Sequence, residues 1–367
     1  MPNHHRTRGN QLGWTTVSAG APAKAGQRVN VYGMGMEELA GFVKELGEPA
    51  YRARQLMEWL YQRGVSDFDA MTNLPKTLRR TLAERAYVQG ATVAHVQVSG
   101  DGTRKYLLRV NDGDTVEAVL IPEGARLTAC LSSQIGCGIG CRFCATALMG
   151  LIRNLAPGEI AGQLAAIQQE AGVRVTNVVM MGMGEPLANY ASVMRALRLM
   201  NHPLGFGLGA RRLTISTAGI VPRIRDLARE DLQVGLAVSL HAPDDATRDL
   251  LVPINRRYPI AELMAACRDY VAQTHRRVTF EYVMLSGVND SPAAARQLAA
   301  LLKGLLCHVN LIPFNPVPET GFDRPDDAVI KRFQQELTER GIPATIRRSR
   351  GTDIDAACGQ LRRRQPV

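Results

Sequence analysis

Cys137, Cys141 and Cys144 stand in the spacing C-x-x-x-C-x-x-C within the glycine-rich stretch Gly136-Cys-Gly-Ile-Gly-Cys-Arg-Phe-Cys144. Three thiolates on one tight loop can bind three irons of a 4Fe–4S cube. The fourth iron is then left without a ligand from this motif. An open iron can chelate the amino and carboxylate groups of S-adenosylmethionine (SAM). An electron passed to the sulfonium then cleaves it and releases a 5′-deoxyadenosyl radical. Phe143 is expected to pack over the loop. Zinc and unliganded thiols are the competing readings. Structural zinc prefers four protein ligands in paired motifs, and the only further cysteine nearby is Cys130.

Other polar motifs share a setting with this loop. Gly182-Met-Gly-Glu-Pro186, Ser216-Thr-Ala-Gly219, Ser239-Leu-His-Ala-Pro243 and Asn315-Pro316 each close a short apolar run. Runs near Leu127–Ser132, Val175–Met181, Arg212–Ser216, Val234–Ser239, Val278–Met284 and Val309–Phe314 read as strands. Helical patterns such as Ala191–Met200, Ile260–Gln273 and Ala293–Leu305 lie between them. Such alternation predicts βαβ units and a parallel sheet. The fold class expected is α/β, a partial (β/α)6 barrel of the TIM type. No G-x-G-x-x-G follows a first strand, which weighs against a dinucleotide fold. In parallel barrels the chemistry gathers at the carboxyl ends of the strands, and that is where these motifs fall.

Upstream, Tyr106–Val110 and Val116–Ile121 flank the turn residues Asn111-Asp-Gly-Asp114 and predict a β-hairpin. Glu117 shares a strand face with Val119 and Ile121. An acid on an apolar face is either simply exposed or partly buried with a raised pKa suited to a base. Met36 to Arg85 reads as three short helices, the third opened by Asn73 as N-cap with Pro75 in its first turn. Arg52, Arg54, Lys76, Arg79 and Arg80 make this module either a solvated helical surface or an RNA contact. The expected organisation is a disordered basic tail over 1–30, a helical RNA-binding module over 31–92 and a hairpin extension over 93–124. The barrel then spans 125–350, and a C-terminal segment spans 351–367.

The whole chain has 367 residues and a formal net charge of +10. That excess favours a polyanion partner, nucleic acid first. Aromatic residues make up only 5%, too few for a stacking platform to account for the whole protein. No apolar run is long enough to span a membrane, and the first residues lack the apolar core of a secretory signal. Seven cysteines in such a chain suggest reduced thiols used for metal or chemistry. Cys267 and Cys307 lie in apolar patterns and read as buried structural thiols.

The sequence resembles the RlmN and Cfr family of radical-SAM RNA methyltransferases, RlmN more closely, from about Glu48 to Gln360. The resemblance is carried by Cys130-Leu-Ser-Ser-Gln-Ile-Gly-Cys137 running into the cysteine loop, Gly182–Leu187, Ser239–Pro243 and Phe280–Leu285. Asn310–Pro316 and Arg350-Gly-Thr-Asp-Ile-Asp-Ala-Ala-Cys-Gly359 complete it, and the last is the most discriminating. Phe314 stands where members often carry tryptophan, and Leu148 where glutamine is frequent.

The resemblance implies methylation of adenine C2 in 23S rRNA, with the adenosine beside the tRNA anticodon as a further candidate. A Cfr-like C8 methylase and a non-catalytic iron–sulfur RNA-binding paralogue are the alternatives. It implies one 4Fe–4S cluster on Cys137, Cys141 and Cys144, and two SAM per turnover. One SAM methylates Cys358; the second supplies the radical that activates the S-methyl group for addition to adenine. Cys130 then resolves the protein–RNA crosslink by forming a disulfide with Cys358, and Glu117 takes the ring proton. SAM contacts carried over are Gly184, Glu185, Ser216, Ser239, Leu240, His241 and Asn315. Arg347, Arg348, Arg350 and Arg362–Arg364 are expected to rim the Cys358 segment and hold RNA phosphates. An external electron donor such as flavodoxin or ferredoxin, a cytoplasmic location and a monomer complete the expectation.

Overall fold

The computed structural model describes residues 28–362. The expected tail therefore falls outside the described residues up to residue 27. Val29–Asn30 (β1) opens a small module. Met36–Glu45 (α1) and Tyr51–Met57 (α2) follow, with α2 running on through a π-helical turn at Glu58–Gln62. Lys76–Arg85 (α3) leads into Ala86–Tyr87 (β2), which pairs in parallel with β1. Leu39, Val43, Leu56, Leu60, Leu78 and Leu82 bury their side chains in a core continuous with the rest of the protein. Asn73 does not cap α3. Its Oδ1 accepts from Trp59 Nε1 at 2.5 Å, and Pro75 takes the cap position. The indole N–H is a donor only and finds its partner there.

Three antiparallel strands come next: Thr92–Val98 (β3), Arg104–Arg109 (β4) and Thr115–Glu123 (β5). Arg126–Cys130 (β6) pairs antiparallel with β5 and parallel with the first of the later strands. An insertion then carries the cysteine loop: Gln134–Gly136 (β7), Ala145–Leu148 (α4) and Leu151–Asn154 (β8), with β7 and β8 paired. After Pro157–Ala171 (α5) the alternation is regular: Asn177–Met180 (β9), Tyr190–Asn201 (α6), Leu213–Thr217 (β10), Val221–Ala228 (α7) and Gly235–Ser239 (β11). Asp245–Leu251 (α8), Ile260–Thr274 (α9), Val278–Met284 (β12), Pro292–Leu302 (α10), Cys307–Pro313 (β13), Asp327–Glu339 (α11) and Ala344–Ile346 (β14) complete it.

The main sheet has ten strands in the order β14-β13-β12-β11-β10-β9-β6-β5-β4-β3. The strands from β6 to β14 are parallel neighbours, an open barrel with a seventh parallel strand, β14, beyond the six expected. The hairpin is not a free extension. It continues the barrel sheet through β5–β6 pairing and gains β3 at its far edge. Core strand β12 is almost wholly buried on both faces, as helices on the outside of a parallel sheet require. Helix starts follow local chemistry: Asp244 accepts from Thr247 N at the head of α8, and Ser291 Oγ from Ala294 N at the head of α10, where Pro292 sits in the first turn. Cys267 and Cys307 are buried in α9 and β13. Among the described residues no helix is long and apolar enough to cross a membrane.

Candidate active site

A cleft of about 940 Å³, counting its open mouth, lies at the carboxyl ends of the parallel strands. Cys137, Cys141 and Cys144 form one wall, and Gly184, Glu185, Ser216, Ser239 and His241 line the others. The loop is held by its glycines and by the β7–β8 hairpin. Cys137 N donates to Gly150 O at 2.9 Å. Gly136 has φ +74, and a Cβ there would sit 1.8 Å from Gly150 O, so no larger residue fits. Phe143 packs in a small cluster beneath the loop and meets the His241 ring edge-on at 4.8 Å.

The donor set suits the expected cluster. Burial pushes the Cys137 thiol up to about 12 and raises Cys141 and Cys144 as well. Such thiols give up their protons when a cationic centre binds them. Among the described residues no three His, Cys, Asp or Glu side chains gather tightly enough for a single metal ion.

The opposite wall is built of buried polar groups. Gly184, at φ +103, lies where a Cβ would meet Gln134 Cβ at 2.6 Å. Gln134 Oε1 in turn accepts from Glu185 N at 2.8 Å. The Glu185 carboxylate accepts from Leu187 N at 3.0 Å and Ala218 N at 2.7 Å, while burial lifts its pKa to about 7. His241 has a left-handed backbone, φ 60, and its Nδ1 accepts from Val283 N at 3.0 Å. Burial and Arg248 push it down to about 3, so it is a neutral donor through Nε2. Glu281 also lines the cleft. Asn310 Nδ2 donates to its Oε1, but its buried Oε2 has no hydrogen-bond partner among the described residues. Arg347 faces it at 4.0 Å, beyond hydrogen-bond range, which leaves this buried acceptor open to a donor from a ligand. In the sequence Glu281 stands within Phe280–Leu285 with no signal of its own.

Two expected contacts do not line the cleft itself. Leu240 is buried in the core; its N–H donates to Glu281 O and its carbonyl accepts from Arg248 Nε at 3.1 Å. Asn315 lines an adjoining chamber, and its amide donates to Cys358 O at 3.3 Å. Arg248, unnoticed in the sequence, is fully buried. Its guanidinium donates to Leu240 O, Ser239 O, Ala218 O and Asn255 Oδ1, tying the ends of β10 and β11 together.

Cys358 and Gly359 line both the cleft and the adjoining chamber, where Cys130 and Arg347 also lie. Cys130 ends β6, with its thiol buried and pushed up to about 12 by that burial and by the nearby Cys358. Cys358 is exposed, and all seven cysteines are free thiols. The expected disulfide is thus absent: Cys130 is a protonated core thiol here, and Cys358 is held on a separate segment. That segment is docked by Ala145 N to Gly359 O (2.8 Å), Thr146 Oγ1 to Leu361 O (2.5 Å) and Gln360 Nε2 to Pro316 O (3.0 Å). The arginine rim is partly committed: Arg347 lies 4.0 Å from Glu281, Arg350 3.8 Å from Asp101, and Arg362 pairs with Glu319. Arg363 and Arg364 lie outside the described residues.

Glu117 lines neither chamber. It is 2% exposed, and its Oε2 accepts from Arg362 N at 2.8 Å. Register explains its placing: Val119 pairs with Cys130, so Glu117 lies on the Cys130 face of the sheet, two residues along. Burial raises its pKa to about 7.

Residues 29–88 match the family described as the ribosomal RNA large subunit methyltransferase N-terminal domain, and residues 131–299 match the radical SAM superfamily. The chain is 50% identical over 345 residues to the dual-specificity RNA methyltransferase RlmN of Marinobacter nauticus, covering 92% of this chain and 93% of that protein. It is 48% identical to the RlmN of Syntrophus aciditrophicus over 91% of this chain and 96% of that one. A crystal structure of a radical SAM methyltransferase from Sphaerobacter thermophilus superimposes with a TM-score of 0.87 at 54% identity, covering 91% of this chain and 99% of that structure. With this fold and this cleft, the chain belongs to the RlmN family of radical-SAM RNA methyltransferases.

Proposed function

We propose that the protein methylates C2 of an adenosine in 23S rRNA, and the adenosine beside the anticodon of tRNA, through an S-methylcysteine on Cys358. The observation that carries this is the continuity of the two chambers: Cys358 borders both the wall of cluster cysteines and the chamber of Cys130. Cys137, Cys141 and Cys144 would hold the cluster, and Gly184, Glu185, Ser216, Ser239, His241 and Glu281 would hold SAM. When bound there, a 4Fe–4S cluster would supply one-electron chemistry, giving an electron to SAM and accepting one from the RNA adduct.

The chain's own residues do the rest. Cys358 sulfur takes a methyl from a first SAM, leaving S-adenosylhomocysteine. The radical from a second SAM removes one hydrogen atom from that methyl, and the S–CH2 carbon bonds to adenine C2. The C2 proton passes to Glu117. Cys130 gives up its thiol proton and its sulfur attacks Cys358 sulfur; the bond from Cys358 sulfur to the linking carbon breaks, a disulfide forms, and the released carbon takes a proton to become the methyl group. Two electrons from a thiol reductant then reset the pair. Arg347 is placed to favour this exchange, since it faces both thiols and is itself held charged chiefly by Cys358. A one-electron carrier such as flavodoxin or ferredoxin would act as donor to a monomeric enzyme in the cytoplasm.

Anaerobic assay of reconstituted protein on rRNA and tRNA, with mass mapping of the methylated position, tests the reading. Cys358→Ala should give no product, and Cys130→Ala should accumulate a covalent protein–RNA species. Normal methylation by Cys358→Ala would sink the proposal; a methyl at C8 would replace the C2 assignment.

A further inference from the structure

Lys105 is a lysine in the wrong place for solvent. Its side chain is only 9% exposed, and its Nζ lies 3.9 Å from Glu117 Oε1. Sheet register accounts for the meeting. Lys105 pairs with Val119, and Val119 with Cys130, so the three form one row across β4, β5 and β6. Paired residues point to the same face, and Glu117 stands two residues from Val119 on that face. Other charged groups near the carboxyl come from the C-terminal segment: the Arg362 backbone N–H and side chain, and Asp355. From the remaining neighbours, Ser132 Oγ and Met183 Sδ bond only the Glu117 backbone. Burying such a pair is weak evidence for stability, because apolar residues of similar volume often do as well or better. The pair therefore calls for a chemical reason.

We propose that Lys105 is a positioning residue for proton transfer: its ammonium keeps the Glu117 carboxylate ionised and fixed while Oε2 is freed to take the adenine C2 proton. This rests on the reading of Glu117 as the base. In the structure Oε2 is covered by Arg362 N–H, on the segment that carries Cys358. Reaching the RNA base requires that cap to lift, and Lys105 is then the cation that stays on the sheet beside the carboxyl. In the step the C2–H bond breaks, its electron pair stays in the ring, and the proton ends on Glu117.

The test compares wild type with Lys105→Met, Lys105→Arg and Glu117→Gln in single-turnover methylation from pH 6 to 9. Lys105→Met should move the rising limb up by about one unit, equivalent to about a tenfold loss at pH below the limb, and Lys105→Arg should restore it. In the cluster-free protein, 13C NMR of labelled glutamate should show the Glu117 carboxyl titrating higher in Lys105→Met. If Glu117→Gln is slow but the Lys105→Met limb and titration superimpose on wild type, the proposal fails. A slower Lys105→Met with an unmoved limb, or weaker RNA binding alone, also overturns it, as a structural role or a phosphate contact respectively. If Glu117→Gln methylates normally, the base assignment itself falls.

Discussion

At the scale of single residues, Glu117 shows how environment turns an ordinary side chain into a reagent. Burial dominates, lifting the carboxyl to about 7 against the opposing pull of Lys105 and Arg362. The sign of the stability effect follows from linkage. A carboxyl raised on folding contributes stability that is full below its unfolded value of about 4.5 and is lost as pH rises through about 7. Wild-type protein should thus melt lower at pH 8 than at pH 6, and Glu117→Gln should lose less over the same interval. Equal losses in calorimetry at the two pH values would contradict the raised carboxyl. Strand alternation flagged Glu117 in the sequence, because an acid among Val119 and Ile121 breaks the pattern. Lys105 escaped, because its partner is set by register with a neighbouring strand and not by its own. Glu281 escaped for a related reason: its strand is mostly apolar and buried, and only the fold shows that Oε2 lacks a hydrogen bond and faces Arg347 across 4.0 Å.

At the scale of elements, the cleft depends on how strand ends are tied together. Six parallel strands were readable as apolar runs, since strands covered on both faces are apolar along their length. β14 was not, being three residues in which no side chain is fully buried. The β7–β8 insertion was hidden by its two short strands, although it fixes the cysteine loop. Arg248 is the strongest tie. Removing it leaves the carbonyls of Ala218, Ser239 and Leu240 without their donor, at ~1–3 kcal/mol for each buried group so exposed. Arg248→Met should lower unfolding free energy by roughly 3 kcal/mol or more in urea titration. Arg248→Lys should recover only part, because an ammonium cannot reproduce the guanidinium fork. Gly184→Ala adds a second test of the same architecture. A methyl 2.6 Å from Gln134 Cβ, at φ +103, must push the Glu185 loop away, so SAM affinity by calorimetry should fall at least tenfold.

At the scale of the whole molecule, the question is how a +10 chain brings one adenine to Cys358. The N-terminal module packs into the same hydrophobic core as the barrel, so cations on it are fixed relative to the cleft. Its charges are not equivalent. Arg52 is spent on Glu48 and on the face of Tyr51, and Arg79 donates to Asp69 O. Arg54, Lys76 and Arg80 are exposed and make no ion pair among the described residues, which leaves them free for phosphates. The sequence showed all five cations but not this division, which depends on which helix faces meet. Phosphate contacts act through counterion release, so each one lost weakens binding across sequences and flattens the salt dependence. Arg54→Glu with Arg80→Glu should weaken RNA binding about tenfold or more at moderate salt. It should also reduce the slope of log affinity against log salt by roughly 2, about one per contact, and leave SAM binding unchanged. The control is Arg52→Gln with Arg79→Gln, which removes as many arginines from the same module but only ones already engaged within it. If both pairs flatten the salt slope equally, the phosphates are not read by the free cations, and the module contributes only a diffuse positive field.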